Sequence, residues 1–420
     1  MPTPNEVLRK LYALAPPLVK PGLGRERALL KALGNPERAY PSILVAGTNG
    51  KGSTSAFAHS ILSAAGLDTG LYTSPHLIAF NERIKVKDAL IKGSEIVRLA
   101  SRISRKAPKG TTFFEFTTAM AFEYFREKGV DAAVVEVGMG GRLDATNVIT
   151  PGVSIITGVG MDHMKELGNT ISKIAAEKAG IIKKNSNVVT AAAGAALKVI
   201  EKAAKEKNAR VFVCGRDFSV TRSGRALKYE SRDRVIKGLR LALFGAHQLR
   251  NAACAIKAVE LMEDYIGCVC DDAVREGLVS AAWPGRFETF GTRPRVVVDA
   301  AHNTDGALAL KNALKDAGIV KPVLVLGIMA DKDIDGILKA LIPLARKVVV
   351  TRPDMARSAS LDELAARAGK FGIEAIREGR VSRALEKARK EAGPSGVVCV
   401  SGSVFTAAEA IRFLRRRKRY

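Results

Sequence analysis

Ser42-Ile-Leu-Val-Ala-Gly-Thr-Asn-Gly-Lys-Gly-Ser-Thr54 is a short β-branched run that empties into a glycine-spaced turn carrying one lysine and then a hydroxyl. Chains grip the phosphates of nucleotides in this way. Gly47, Gly50 and Gly52 let backbone N–H groups approach an anion, and a helix starting near Ser53 directs the positive end of its dipole at the same point. Lys51 is placed for the β- and γ-phosphates, and Ser53 or Thr54 for a phosphate or its magnesium ion. The spacing is a variant of the standard phosphate loop: only Thr48 and Asn49 separate Gly47 from Gly50-Lys51, and Gly52 intervenes before the hydroxyl. A purely structural strand-to-helix turn is the bland alternative, and the lysine and hydroxyl at this spacing speak against it.

On either side of this loop, apolar strand-like runs at 42–46, 132–137, 153–157 and 187–191 alternate with helical patterns at 53–65, 117–128, 170–181 and 195–207. Such alternation predicts a mostly parallel sheet with helices on both faces. The stretch 218–244 switches to polar/apolar alternation around Ser223-Gly224, which predicts a small antiparallel patch, and a helical pattern resumes at 249–263. A second strand–helix series opens at 295–299 and continues at 323–327, 347–351 and 396–401, without a phosphate loop of its own. The fold class is therefore α/β: a P-loop domain over 1–288 followed by a Rossmann-like α/β domain over 289–420. The turn Trp283-Pro-Gly-Arg-Phe287 puts the hinge near 288–294.

With 420 residues, 47% of them hydrophobic, the chain can bury two cores. No apolar run reaches the ~20 residues that span a bilayer, and the polar N-terminus has no signal-peptide core, so a cytoplasmic protein without membrane contact is expected. Cys214, Cys254, Cys268, Cys270 and Cys399 are irregularly spaced and read as reduced thiols, with no second pair to complete a zinc site around Cys268-Val-Cys270. A net charge of +25 suits a nucleic-acid binder, but the basic residues are dispersed, only Arg415–Arg419 forms a dense block, and aromatics total 5%. The reading is a solvated basic surface that attracts small anionic substrates, with no nucleic-acid partner.

A second motif, Ala132-Ala-Val-Val-Glu-Val-Gly-Met-Gly-Gly-Arg-Leu-Asp-Ala-Thr-Asn147, ends an apolar strand in a carboxylate followed by glycines. Ligands of open α/β sheets sit at the carboxyl ends of strands, so Glu136 is placed for a metal or nucleotide. A solvent-facing glutamate is the alternative, disfavoured inside an apolar run. Alongside stand Leu71-Tyr-Thr-Ser-Pro-His-Leu-Ile-Ala-Phe-Asn-Glu-Arg-Ile84, Phe113-Phe-Glu-Phe-Thr-Thr118, Gly160-Met-Asp-His-Met-Lys-Glu-Leu-Gly168, Ala175-Ala-Glu-Lys-Ala-Gly180, Gly245-Ala-His-Gln-Leu-Arg-Asn-Ala252, Trp283-Pro-Gly-Arg286 and Asp299-Ala-Ala-His-Asn303. Their order along nearly the whole chain resembles the folylpolyglutamate synthase/dihydrofolate synthase branch of the Mur ligase superfamily.

The resemblance implies ATP-dependent amide ligation on a Mur-ligase-like fold: a pteroate or folate carboxylate is phosphorylated, and L-glutamate's amino group displaces phosphate. Transfer between anionic partners needs charge neutralisation and positioning more than an acid or base. By resemblance, Gly47, Thr48, Asn49, Gly50, Lys51, Gly52, Ser53 and Thr54 hold the ATP phosphates, joined by Asn251, Arg286 and Asp299. Ser74 and Glu136 are implied as ligands of one Mg2+ and His163 of a second, the latter an unusual donor for an oxygen-seeking ion. Lys178 matches the family lysine converted by carbon dioxide to a carbamate, an anionic oxygen ligand. Lys51, Glu136, His163 and Lys178 make up the implied catalytic set, and K+ is a further candidate ion.

The pterin end of the substrate is expected at Pro75, His76, Phe80, Arg83, Phe114, Glu115, Phe116 and Thr117, and glutamate at His302 and Ser403. Ordinary roles compete at several of these positions: core packing for Phe80, Phe114 and Phe116, helix packing or capping for Asn251 and Asp299, and a surface lysine at 178. The expected partners are dihydropteroate or tetrahydrofolate, L-glutamate and ATP, bound by a monomer whose second domain closes on the first. A peptidoglycan Mur ligase is the nearest rival, but only 46 residues precede Gly47, too few for a UDP-binding domain. A non-catalytic nucleotide or nucleic-acid binder leaves Glu136 and His163 without a purpose.

Overall fold

The structure is a computed structural model that describes residues 2–14, 22–224 and 226–417. The end of the basic tail, from Lys418, lies outside the described residues. The chain divides into two compact units, one comprising Met1–Ala242 and Leu249–Ala282, the other Leu243–Gln248 and Trp283–Tyr420. The division thus falls at Ala282/Trp283, and a short segment at 243–248 belongs with the second unit.

The first unit is built on an eight-stranded sheet in the order Ala89–Leu90, Ile84–Val86, Thr69–Tyr72, Ala132–Glu136, Ser42–Ala46, Val153–Ile156, Asn187–Thr190, Arg210–Val213. The six strands from Thr69–Tyr72 onward pair in parallel, and the two at the other edge are antiparallel. Ser42–Ala46 and Ala132–Glu136 sit centrally and are buried along their whole length, which explains why they read as continuous apolar runs rather than alternating ones. Helix Phe113–Lys128 packs Phe116, Ala119, Met120, Phe122 and Phe125 into this core. Its start is fixed by a capping box, Thr112 accepting from the Glu115 N–H while Glu115 reaches back to the Thr112 N–H at 2.7 Å. The expected antiparallel patch is a three-stranded sheet of Phe218–Ser223, Ala226–Ser231 and Val235–Leu239.

The second unit holds a six-stranded sheet in the order Glu288–Phe290, Arg295–Val298, Val397–Ser401, Val323–Leu326, Lys347–Thr351, Ala375–Glu378. All its pairs are parallel except that of the edge strand Glu288–Phe290. Its core joins Val297, Leu324, Leu326, Val348, Val350 and Cys399 to helices Thr304–Asp316 and Ile334–Leu341. Among the described residues no helix is long and apolar enough to cross a membrane.

Candidate active site

Four neighbouring strands of the first unit end together, and each delivers one of the groups singled out in the sequence. The register sets Val45 beside Glu136, Tyr72 beside Val135 and Ala46 beside Ile156. Consequently the glycine loop, Glu136, Ser74 and the segment leading to His163 all leave the carboxyl edge of one parallel sheet, where such sheets bind ligands.

The loop is held from beside and below. Thr48 donates its N–H to the Gly158 carbonyl at 2.7 Å, and its hydroxyl both donates to the Gly160 carbonyl and accepts the Gly160 N–H. Thr157 donates to the Asn49 carbonyl at 2.7 Å. Gly50 caps helix Lys51–Ala64 at φ +87°, and a Cβ there would stand 3.2 Å from Asn251 Cγ and overlap its oxygen. The close approach needs glycine for both reasons. Lys51 folds back over its own loop, Nζ donating to the Gly47 carbonyl at 3.0 Å and the Thr48 carbonyl at 3.4 Å. Gly52, Ser53 and Thr54 are buried in the first helical turn, and the Thr54 hydroxyl has no partner.

Ser74 donates its N–H to Glu136 Oε2 at 3.2 Å, while its buried hydroxyl has no hydrogen-bond partner. Glu136 is 4% exposed. An orphaned hydroxyl beside a buried carboxylate is the oxygen pair that suits magnesium, an ion that keeps the rest of its shell for water and phosphate. Among the described residues no group of three or more His, Cys, Asp or Glu side chains gathers for a metal. His163 adopts a left-handed backbone at φ +50°, is 40% exposed, and holds its ring 4.0 Å from carboxylate oxygens of both Asp162 and Glu166.

Lys178 is not a surface residue; it is 3% exposed on the buried face of helix Ile171–Ala179. Burial and then the nearby Lys51 charge lower its amine to about 7, against partial support from Asp162 and Asp144. The helix is locked to the Glu136 motif: the Arg142 N–H donates to the Glu177 carbonyl at 2.8 Å, and Asn147 donates to the carbonyls of Arg142 and Gly180. Gly141 lets the two segments touch, since a Cβ there would lie 2.7 Å from the Glu177 carbonyl oxygen.

The residues expected around the pterin divide into two groups. Phe80 and Phe116 are both 2% exposed in the first core, worth about 2–3 kcal/mol each as buried side chains. Thr117 is fully buried and hydrogen-bonded to the Tyr72 hydroxyl, and Glu115 is paired with Arg25 at 2.9 Å besides its capping role. These four have structural duties. By contrast Pro75 is exposed, and His76, accepting from Arg83 Nε at 2.8 Å, shares a loose aromatic cluster with Phe80, Phe113 and Tyr12. Arg83 stacks over the Phe113 ring, and Phe114, half-buried, lies against Tyr72.

Two acids were not singled out by sequence reasoning. Asp144 is buried, takes hydrogen bonds from Thr146 and the Met139 N–H, and is pushed up by burial. Asp162 is 8% exposed and is the stronger of the two acidic influences on Lys178, ahead of Asp144. Both stand inside motifs quoted for their neighbours, and an Asp-x-Thr turn signal marked Asp144.

In the second unit, Asp299 accepts from the Phe287 N–H and the Ala301 N–H, both at 2.9 Å, and so holds the Gly285–Phe287 turn to the end of strand Arg295–Val298. It caps no helix; Asn303 does that for Thr304–Asp316, accepting from the Gly306 N–H. Arg286 is half-buried beside this turn. The His302 ring contacts the Ala300 carbonyl at 3.0 Å, and Ser403, 1% exposed, spends its hydroxyl on Thr406 at the start of helix Val404–Arg417.

The family model of the Mur ligase middle domain matches residues 45–259, and that of the Mur ligase glutamate ligase domain matches 285–404. The Bacillus subtilis dihydrofolate synthase/folylpolyglutamate synthase is 39% identical over 82% of this chain and 84% of its own length. The chain belongs to the folylpolyglutamate synthase/dihydrofolate synthase family of Mur ligases. Another member, the Lacticaseibacillus casei folylpolyglutamate synthase, is 38% identical over 93% of this chain and 94% of its own. The solved structure of Escherichia coli FolC in complex with DHPP and ADP matches with a TM-score of 0.92 at 30% identity, covering 99% of each chain. Family membership makes the chain an ATP-dependent ligase that forms amide bonds, and its α/β architecture is that of the family.

Proposed function

We propose that this chain joins L-glutamate to a pteroate or folate carboxylate through an acyl phosphate, as a dihydrofolate synthase, a folylpolyglutamate synthase or both. The observation that carries the reading is the convergence of the glycine loop, Glu136 and the orphaned Ser74 hydroxyl at adjacent strand ends. In this proposal the N–H groups of 47–54 and Lys51 take the ATP phosphates, Lys51 exchanging its loop carbonyls for phosphate oxygens, and Asn251 braces the loop at Gly50. Ser74 and Glu136 hold one Mg2+, which supplies charge neutralisation at the phosphates.

Lys178 at about 7 has a large neutral fraction at physiological pH, as an amine must to add carbon dioxide, and the carbamate with His163 forms the proposed second Mg2+ position. Arg286 and Asp299 remain proposed nucleotide contacts, Asp299 through the turn it holds. His302 and the helix that Ser403 starts are proposed for glutamate, since a helix N-terminus suits a carboxylate. The pterin is assigned to the surface offered by exposed Pro75, half-buried His76 and Phe114, and the buried Arg83 beside them, with Phe80, Glu115, Phe116 and Thr117 shaping it from behind. Five cysteines without a disulfide suit a reducing, cytosolic setting, and we take the chain to act as a monomer.

The test offers purified protein ATP, Mg2+ and labelled glutamate with dihydropteroate or tetrahydrofolate in separate reactions. A product heavier by one glutamyl residue identifies the acceptor. Labelled glutamate left unincorporated with both acceptors defeats the reading. Repeating the reaction with and without K+ settles that ion.

A further inference from the structure

Cys268-Val-Cys270, the motif with no second pair to make a zinc site, joins helix His247–Ile266 to helix Asp271–Ser280. Both thiols are exposed, whereas Val269 between them is 1% exposed. Alternation of this kind belongs to an extended segment, in which residues two apart share a face, and Cys270 has extended backbone at φ −67° and ψ 158°. The tripeptide is held at its centre from both sides. Val269 donates its N–H to Glu263 Oε1 at 3.1 Å, and its carbonyl accepts from Arg234 Nη2. Arg234 is itself fixed by Glu263 at 2.9 Å and by Asp271 Oδ1 at 3.0 Å. Cys270 occupies the N-cap position of its helix, yet its side chain makes no capping hydrogen bond. Two thiols are therefore presented to solvent on one side of a pinned backbone, and no role in ligation uses either.

We propose that Cys268 and Cys270 form a two-thiolate site for a soft monovalent cation of the Cu+ class. Consecutive residues of an extended chain rise about 3.3 Å each, which sets the two Cα atoms about 6.6 Å apart, at the far end of the disulfide range of about 4.4–6.8 Å. A direct S–S bond would pull against the hydrogen bonds at Val269, whereas an ion between the sulfurs closes the gap with the backbone in place. Among the described residues no group of three or more His, Cys, Asp or Glu side chains gathers for a metal, so the pair has no third ligand of that kind. Zn2+ calls for four ligands and Mg2+ for oxygen, while soft thiolates select Cu+, which two of them suffice to hold. As the two S–Cu bonds form, each thiol releases its proton to solvent; copper stays monovalent and no electron is transferred. The site lies apart from the phosphate loop, since the helix from Asn251, which meets Gly50, to Ile266 is roughly 22 Å long.

Reduced, metal-free protein is titrated anaerobically into the Cu(I)–bicinchoninate complex with ascorbate present, and loss of the complex's visible absorbance reports transfer. One Cu+ per chain is expected. Cys268→Ser and Cys270→Ser should each weaken binding about 10²-fold or more, because the second of two linked thiolates acts at high effective concentration. Cys214→Ser should bind as the parent protein does. X-ray absorption at the copper edge should find two sulfur neighbours. No transfer to the parent protein, or transfer that persists in the Cys268→Ser/Cys270→Ser double variant, overturns the site. One ion shared between two chains, seen as a doubled mass in native mass spectrometry, overturns the two-thiolate geometry, as does a copper edge dominated by nitrogen or oxygen neighbours.

Discussion

Lys178 sits in an environment that its side-chain type does not suggest, buried on a helix of the first unit. A buried amine lowered to about 7 makes the native protein release its proton first as pH rises. Its contribution to stability therefore climbs with pH between about 7 and the ordinary amine value of 10.5, and is flat below. Lys178→Met removes that penalty: denaturant unfolding at pH 7 should show a gain of about 1–3 kcal/mol in the variant, while ligase turnover is lost. A variant that is both less stable and fully active would contradict the assignment. Ser74→Ala separates duty from stability in the same manner. Because the Ser74 hydroxyl has no partner, its removal should change unfolding by no more than about 1 kcal/mol, yet raise the Mg2+ concentration needed for half-maximal turnover. Lys51→Ala should lower kcat by about 10²–10³-fold in an ATP-turnover assay, the cost of losing one charged donor at the reacting phosphates.

Among the elements, the helix that follows the phosphate loop starts two residues before Ser53. Gly50 in the left-handed region serves as its cap, and a turn beginning Lys51-Gly52 has little helical propensity to announce it. Gly50→Ala should lower stability by about 1–3 kcal/mol and weaken nucleotide binding, because the new methyl must displace Asn251. Isothermal titration with ADP checks the second effect. Helix Phe113–Lys128 also begins earlier than its apolar pattern suggested, although Thr112-x-x-Glu115 had spelled out its capping box. That shift matters for the site, since it turns Glu115, Phe116 and Thr117 into first-turn residues with capping and core roles. Strand Thr69–Tyr72 was hidden because it is four residues long, contains Gly70 and runs straight into the Thr73–Pro75 loop. Ala375–Glu378 is an edge strand with two charged residues, and it gives no apolar run to read.

For the molecule as a whole, the central strands were legible because burial on both faces leaves them continuously apolar, and the motifs were legible because they sit at those strands' ends. What the sequence could not convey was which hydroxyls lack partners and that Lys178 is buried, since both depend on segments distant along the chain. The net charge of +25 bears on association rather than fold. Raising ionic strength from about 0.05 to 0.5 M should raise the KM for ATP about threefold or more with little change in kcat, as screening weakens attraction of the anionic substrate. The central claim, that ATP phosphorylates the organic acid and glutamate's amine then displaces the phosphate, is tested most directly with a dihydropteroate or folate acceptor carrying 18O in both oxygens of its reacting carboxylate. Mass spectrometry of the inorganic phosphate after turnover with ATP and glutamate should find one 18O atom per amide bond formed; phosphate free of label in a reaction that makes the amide would contradict the account.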